Sequence, residues 1–363
     1  MISHFGVAGY RSLRDIRLAL GGLTVVTGAN STGKSNLYRA LWLLHRAMEG
    51  RFARSLADEG GLHSVLWAGP RKRGPVRLEM SVAFDDGLSY SLACGLPDPN
   101  DLPTLSFQRD PSIKEETVSF RQGKSVVSLL ERGKSGAHLR DADGGRVSLP
   151  MTLGRGESAL SQLSEPHRYP HLWGLRSRLV HWRFYHGFRT DEYSPLRQGQ
   201  IGVFTPVLSH DGSDLAAALQ TIVEIGDADG LHKAVRQGLN GATLEILYPD
   251  DWEDDPRFRV LLHTPGIHRP LEAFELSDGT LRYLCLIAAL LSPRPPGLLA
   301  LNEPETSLHP DLLAPLAARI AEAAQTTQIW VTTHSQILAQ EIERRTGVSP
   351  ITLTKINGET SLG

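Results

Sequence analysis

Between residues 28 and 35 the chain reads Gly28-Ala29-Asn30-Ser31-Thr32-Gly33-Lys34-Ser35, a G-x-x-x-x-G-K-S spacing whose chemistry is the holding of phosphate. The glycines let successive backbone N–H groups turn inward around phosphate oxygens, and the dipole of a following helix adds positive potential. Lys34 is the side chain that would reach β- and γ-phosphates. Ser35 would place its hydroxyl on a magnesium ion, a cation that otherwise takes phosphate oxygens and water. The apolar run Leu23-Thr24-Val25-Val26 stands before the loop, and Leu37, Leu41, Leu43 and Leu44 stand after it at helical spacing. Strand, loop and helix are the context that this chemistry needs.

Three further stretches carry groups that could act on a bound phosphate. Leu298-Leu299-Ala300-Leu301 is an apolar strand that ends in Asn302-Glu303-Pro304-Glu305, and it resembles a Walker B segment. Glu303 takes the place of the general base or water-orienting carboxylate. Asn302 departs from that pattern, since an aspartate normally stands there on the magnesium shell, and a neutral amide should hold the ion less well. Leu276-Ser277-Asp278-Gly279-Thr280 opens a helix and, taken alone, is a Ser-Asp cap. It resembles the ABC-type signature L-S-G-G-Q, with Asp278 and Thr280 as departures, and a Ser hydroxyl beside helix N-terminal N–H groups can face a γ-phosphate. His334, in Thr332-Thr333-His334-Ser335 after another apolar strand, would be the switch histidine. Glu305-Thr306-Ser307-Leu308-His309-Pro310 takes the place of the loop through which two such heads touch.

The elements that must position these groups can be read from periodicity. Residues 2–27 read as two or three strands, with Ile16, Leu18 and Leu20 alternating against Arg17 and Ala19, and a helix follows over about 34–48. The stretch 49–75, rich in Gly, Arg and Pro, reads as irregular. Val76, Leu78, Met80, Val82 and Phe84 alternate, Asp85-Asp86-Gly87 turns, and Leu88–Ala93 returns as a hairpin; short strands broken at glycines continue to 149. Helical patterns are expected at about 156–180 and 213–225, the latter capped by Asp211-Gly212-Ser213, with strands near 243–248 and 258–263. From 276 the pattern is a helix over 279–291, a strand at 298–301, a helix over 310–323, a strand at 328–332 and a helix from 335, the grammar of a parallel sheet. The expected division is 1–75 and 241–363 as two parts of one ATPase head, 76–150 as a β-rich lobe, and 151–240 as a helical, arginine-rich insert.

Composition narrows the class. The 363 residues exceed a single ordinary domain, and 40% hydrophobic content with no apolar run near 20 residues excludes a membrane-spanning helix. No basic segment followed by an apolar block opens the chain, so export is not expected. Cys94 and Cys285 read as buried free thiols of a reducing cytoplasm, too far apart for a metal hook. A net charge of −2 excludes a globally basic nucleic-acid surface, so any such footprint is local. Basic residues cluster at Arg71-Lys72-Arg73 with Arg77, and again at Arg168, Arg176, Arg178, Arg183, Arg189 and Arg197 among Tyr169, Trp173, Trp182 and Tyr185. Phosphate-backbone binding and arginines that structure the nucleotide site are both open readings.

Taken together the motifs resemble the SMC-like, RecF-like and OLD-like ATPase heads, a branch of ABC-type ATPases, and in detail bacterial predicted ATPases with E-L-S-D-G-T and N-E-P-E-T-S-L-H-P. Phe184-Tyr185-His186-Gly187-Phe188-Arg189 and Ser209-His210-Asp211-Gly212-Ser213-Asp214-Leu215-Ala216 are also similar to that group. The resemblance implies an α/β P-loop NTPase fold of ABC/SMC-head type, mixed and parallel sheet flanked by helices, with an inserted β-rich lobe and helical segment. It implies ATP and Mg2+ as ligands and an ATP-dependent homodimer, with DNA or an effector protein as partner. Neither a C-terminal nuclease domain nor coiled-coil arms are expected. By the same resemblance Glu303, His334 and Lys34 are catalytic. The nucleotide set is Asn30, Ser31, Thr32, Gly33, Lys34, Ser35 and Asn36 with Ser277, Asp278 and Gly279, and Ser35 and Asn302 hold the metal. Gln162 and Gln198 both remain candidates for the Q-loop glutamine. Two functions compete: an ATP-driven, dimerising ATPase in DNA repair, DNA metabolism or anti-phage defence, and a nucleotide-gated regulatory module with little turnover.

Overall fold

The computed structural model describes residues 1–70, 76–98, 108–134, 136–149, 152–248 and 257–363. The elements run β1 (Ile2–Tyr10), β2 (Leu13–Ala19), β3 (Leu23–Gly28), α1 (Lys34–Met48), α2 (Phe52–Asp58) and α3 (Leu62–Val65). There follow β4 (Leu78–Phe84), β5 (Leu88–Gly95), β6 (Ser112–Gln122), β7 (Ser125–Gly133), β8 (Gly136–Arg140), β9 (Arg146–Ser148), α4 (Pro170–Val180), β10 (Arg183–Tyr185) and β11 (Gln200–Ile201). Next come α5 (Leu215–Ile225), α6 (Ala228–Gly238), β12 (Thr243–Leu247), β13 (Arg257–His263), β14 (Leu271–Glu272) and α7 (Asp278–Leu290). The series closes with β15 (Leu298–Asn302), α8 (Leu313–Ala323), β16 (Gln328–Thr332), α9 (Gln336–Thr346), β17 (Ile351–Ile356) and β18 (Glu359–Leu362). Two compact units share them: 1–21 with 28–182 and 351–363, and 22–27 with 183–350.

In the first unit an antiparallel sheet runs β2-β1-β4-β5-β6-β7-β8-β9. Its register lines up Leu18, Phe5, Val82, Tyr90, Val118, Leu130 and Leu139 in one row across seven strands, and all are at most 3% exposed. That row is what the period-2 alternation of β1, β2 and β4 dictates, and each such side chain contributes about 1.5–3 kcal/mol on burial. Helix α1 buries Leu37, Leu41, Leu44 and Met48 in this unit, and Cys94 is enclosed on β5. The stretch expected to be irregular holds two short helices, α2 and α3. Phe52 and Leu56, then Leu62 and Val65, bury at helical spacing on either side of Gly60-Gly61. The helical expectation over 156–180 reduces to a single 3-10 turn at Leu160–Gln162 and α4, which Pro170 opens. Strands β17 and β18 form a hairpin that had no counterpart in the sequence reading; Asn357 and Gly358 both take positive φ, as a two-residue turn of that kind requires.

The second unit is built on parallel strands in the order β10-β15-β16-β3. Apolar on both faces, Leu298–Leu301 and Ile329–Val331 are buried throughout, the mark of a sheet covered by helices on each side. Leu281, Leu284 and Ile287 of α7, with Leu316 and Ile320 of α8 and Leu231 of α6, belong to the core that covers it. Cys285 lies in the same core. Helix α5 begins at Leu215, later than expected, and Asp214 rather than the 211–213 triplet precedes it. The Asp214 carboxylate accepts from the N–H and hydroxyl of Ser209. Strands β11, β13, β12 and β14 form a small antiparallel sheet. Among the described residues no helix is long and apolar enough to cross a membrane.

Candidate functional site

The parallel register decides which residues share an edge. Asn302 pairs with Thr332, and Thr332 pairs with Val26, so β15, β16 and the strand that leads into residues 28–35 finish level with one another. In open α/β sheets that edge, outside the carboxyl ends of the strands, is where ligands bind.

In the first unit, residues 28–36 wrap the start of α1. Asn30 and Ser31 are exposed, Thr32, Gly33 and Lys34 buried, and Ser35 and Asn36 half-buried. Ser31 holds a positive φ of 66°. The Lys34 ammonium donates to the carbonyls of Gly28 at 2.7 Å and Ala29 at 2.9 Å, and so spans its own loop. Among the described residues no carbonyl accepts from the N–H groups of Ser31, Gly33 or Ser35. Gly33 caps the helix at φ 106°, and a Cβ there would lie 2.3 Å from Thr360 Oγ1, so no other residue fits. Asn36 turns its amide to Ser12 Oγ at 2.9 Å.

In the second unit the strand-edge acids surround His334. Glu303 takes φ 49°, a left-handed conformation rare outside glycine, and its N–H donates to the Thr332 carbonyl at 2.7 Å. Its Oε1 stands 3.9 Å from His334 Nδ1. Glu305, 7% exposed, is turned inward. Its Oε1 accepts from Thr333 Oγ1 at 2.6 Å, His334 N at 2.9 Å and Ser335 N at 3.1 Å. His334 Nδ1 lies 3.0 Å from that same oxygen. Asn302 Oδ1 accepts from Thr332 Oγ1 at 3.2 Å. Asn302 and Glu303 open, with Tyr185, Phe188, Arg282 and Thr306, onto a cavity of about 230 Å³.

Ser277 caps α7 by accepting from Thr280 N at 3.1 Å. Asp278 pairs with Arg197 Nη2 at 2.7 Å, and Arg197 Nη1 also donates to the carbonyl of Leu276 at 2.7 Å. This pairing gives the Asp278 departure a physical reason. Gly279 is needed for close approach, since a Cβ there would lie 2.6 Å from the Ser307 carbonyl. The other arginines of the 168–197 stretch are also engaged. Arg178 meets Asp86 and lies over Phe84, Arg189 forks onto Asp191, Arg176 donates to the Leu163 carbonyl, and Arg168 pairs with Glu165. Arg77 pairs with Glu115, while Arg71, Lys72 and Arg73 lie outside the described residues. Gln162 sits on the 3-10 turn of the first unit and Gln198 follows another in the second; the residue directly after β10, beside the Glu303 strand, is His186. Glu305 as a brace was missed in sequence, although Thr333, His334 and Ser335 are the donors that a buried acid would need. Thr360 and Ser12 were missed too, and the Asn357-Gly358 turn was the available signal for the strand that carries Thr360.

Over residues 23–91 and 155–339 the sequence matches the family described as "AAA domain, putative AbiEii toxin, Type IV TA system". The chain belongs to this AAA-domain family. The AAA domain also superposes over its whole length on solved SMC heads. One, crystallised bound to the C-winged helix domain of ScpA, gives a TM-score of 0.54 at 13% identity and covers 96% of that chain. Another, the Smc head domain with an extended coiled coil bound to the C-terminal domain of ScpA derived from Pyrococcus furiosus, gives 0.52 at 11% over 95% of that chain. Heavy metal tolerance factor 1 of Caenorhabditis elegans is 26% identical over 149 residues, 40% of this chain; the match spans only 18% of that protein. This AAA domain has a fold like that of SMC heads, with the α/β P-loop architecture that its motifs implied, and its family is one of nucleotide-binding ATPases.

Proposed function

We propose that this head binds ATP between two copies of itself and hydrolyses it slowly, with Lys34, Glu303 and His334 as the catalytic groups. The observation that carries the reading is the Glu303–Glu305–His334 cluster on a strand edge level with the strand that enters the phosphate loop. Lys34 would exchange its two loop carbonyls for β- and γ-phosphate oxygens, and the N–H groups of Ser31, Gly33 and Ser35 would cradle them, with Asn30, Thr32 and Asn36 completing the loop around the nucleotide. Glu303 would orient and deprotonate the attacking water, and His334 would donate a ring N–H to the γ-phosphate. Ser277, with Asp278 and Gly279 at the start of α7, would serve the nucleotide of the other copy.

Magnesium, which neutralises phosphate charge when bound, would be held by Ser35 and Asn302. Among the described residues no group of three or more His, Cys, Asp or Glu side chains forms a metal cluster. A hydroxyl and an amide oxygen fit an ion whose remaining ligands are phosphate and water.

The matched family's description places it among type IV toxin–antitoxin systems, and ScpA is bound by the SMC heads; both support a partner-directed role, in defence or in DNA metabolism. A second reading, the nucleotide-gated regulatory module, is favoured by Asn302 and by the internal engagement of Arg168, Arg178, Arg189 and Arg197. One experiment addresses both. Lys34→Ala and Ser277→Arg proteins, each inactive alone, are mixed and assayed for ATP hydrolysis with and without double-stranded DNA. Activity should partly return on mixing, because one complete composite site forms. A mixture that stays dead while subunits exchange removes the shared site. Strong stimulation by DNA supports the repair reading, and indifference supports the regulatory one.

A further inference from the structure

The back of the phosphate loop is held by a chain of hydroxyls from distant parts of the sequence. Thr360 Oγ1 donates to the Thr32 carbonyl at 2.8 Å, and Ser12 Oγ lies 2.8 Å from Thr360 Oγ1. Asn36 Nδ2 donates to Ser12 Oγ at 2.9 Å. Directions follow from the ends. The carbonyl can only accept and the amide nitrogen can only donate, so each hydroxyl receives one bond and gives the next, from Asn36 through Ser12 and Thr360 to Thr32. Bonds aligned in this way strengthen one another. Thr360 is 2% exposed, and its backbone N–H donates to the Ser12 carbonyl at 2.9 Å, which anchors the residue behind the loop.

A trans peptide points its C=O and its N–H in opposite directions. A hydroxyl that fixes the Thr32 oxygen toward β18 therefore aims the N–H of Gly33 the other way, and that N–H has no acceptor among the described residues. We infer that Thr360 is a positioning residue for nucleotide binding: through the 32–33 peptide it sets the direction of a phosphate-binding N–H. Resting on the reading of residues 28–35 as the phosphate site, the inference adds a determinant that lies outside every motif.

ATP and ADP affinities are measured by calorimetry on full-length protein for the parent, Thr360→Val, Thr360→Ser and Lys34→Ala. Valine keeps the shape and deletes the hydroxyl; losing one such bond should weaken ATP and ADP alike by roughly three- to tenfold. Serine should restore affinity to within about twofold of the parent. In turnover, KM for ATP should rise with kcat unaltered, since the contact is made equally in the ground and transition states. Thr360→Ala serves if the valine variant does not fold. A valine variant with lowered Tm and parental nucleotide affinity, while Lys34→Ala has lost binding, reduces Thr360 to a structural role and overturns the inference alone. Parental affinity in Lys34→Ala overturns the phosphate-site reading and this inference with it.

Discussion

Asn302 carries the proposal at the scale of a single residue. Its amide oxygen already accepts from Thr332, and an aspartate could keep that bond while adding a charge for the metal. Asn302→Asp should therefore lower the magnesium concentration that gives half-maximal ATPase activity. Superimposable magnesium titrations of the two proteins would leave the ion to Ser35 and the phosphates. At this scale legibility followed locality. Lys34, Ser35 and Glu303 could be proposed for the site because the motifs that single them out lie in neighbouring residues. Glu305 and Thr360 could not, because each acts through groups 28 and 328 positions away along the chain. The left-handed backbone of Glu303 is likewise invisible in a residue type that rarely adopts it.

Elements were legible wherever burial is one-sided or complete. The alternation of β1, β2 and β4 and the apolar run Leu298–Leu301 of β15 announce a half-covered antiparallel sheet and a fully covered parallel one. The short helices α2 and α3 escaped because one or two helical turns leave too few apolar positions to set a period. One lead-in turn carries a pH dependence. Just before the signature, the Arg269 guanidinium forks onto Glu275 at 2.6 and 2.7 Å and the Glu272 N–H adds a third bond. Chiefly through Arg269, the Glu275 carboxyl is held down at about 2, against an ordinary 4.5. Between those values the unfolded chain binds more protons than the folded one. The support is thus complete above pH 4.5 and is lost as pH falls toward 2. In Arg269→Ala the acid transition followed by far-UV circular dichroism should begin at higher pH. Coincident curves would mean that this exposed pair contributes nothing measurable.

For the molecule as a whole, each compact unit encloses one thiol, Cys94 in the first and Cys285 in the second. Burial pushes Cys94 up to about 12 and Cys285 well above its ordinary range, so neither is a thiolate at neutral pH. In native protein both should resist a thiol reagent that modifies the denatured chain at once. Peptide mapping should then report the opening of each unit separately, because labelling waits on local unfolding. Rapid native-state labelling of either cysteine would contradict its burial.

Interleaving also sets an order on biosynthesis. Strand β3 is made early, yet its partner β16 follows about 300 residues later, with Val26 facing Thr332. At ~5–20 residues per second the ribosome needs roughly 15–60 s to cover that distance. For that interval Leu23-Thr24-Val25-Val26 is an unpaired apolar segment, a natural client for a holding chaperone. The loop that it leads into gains the hydroxyl behind Thr32 only after residue 360 has emerged. Until then, on the inference drawn above, the Gly33 N–H lacks the hydroxyl that aims it, and a nascent head should hold nucleotide roughly three- to tenfold more weakly than the finished one for want of that contact alone.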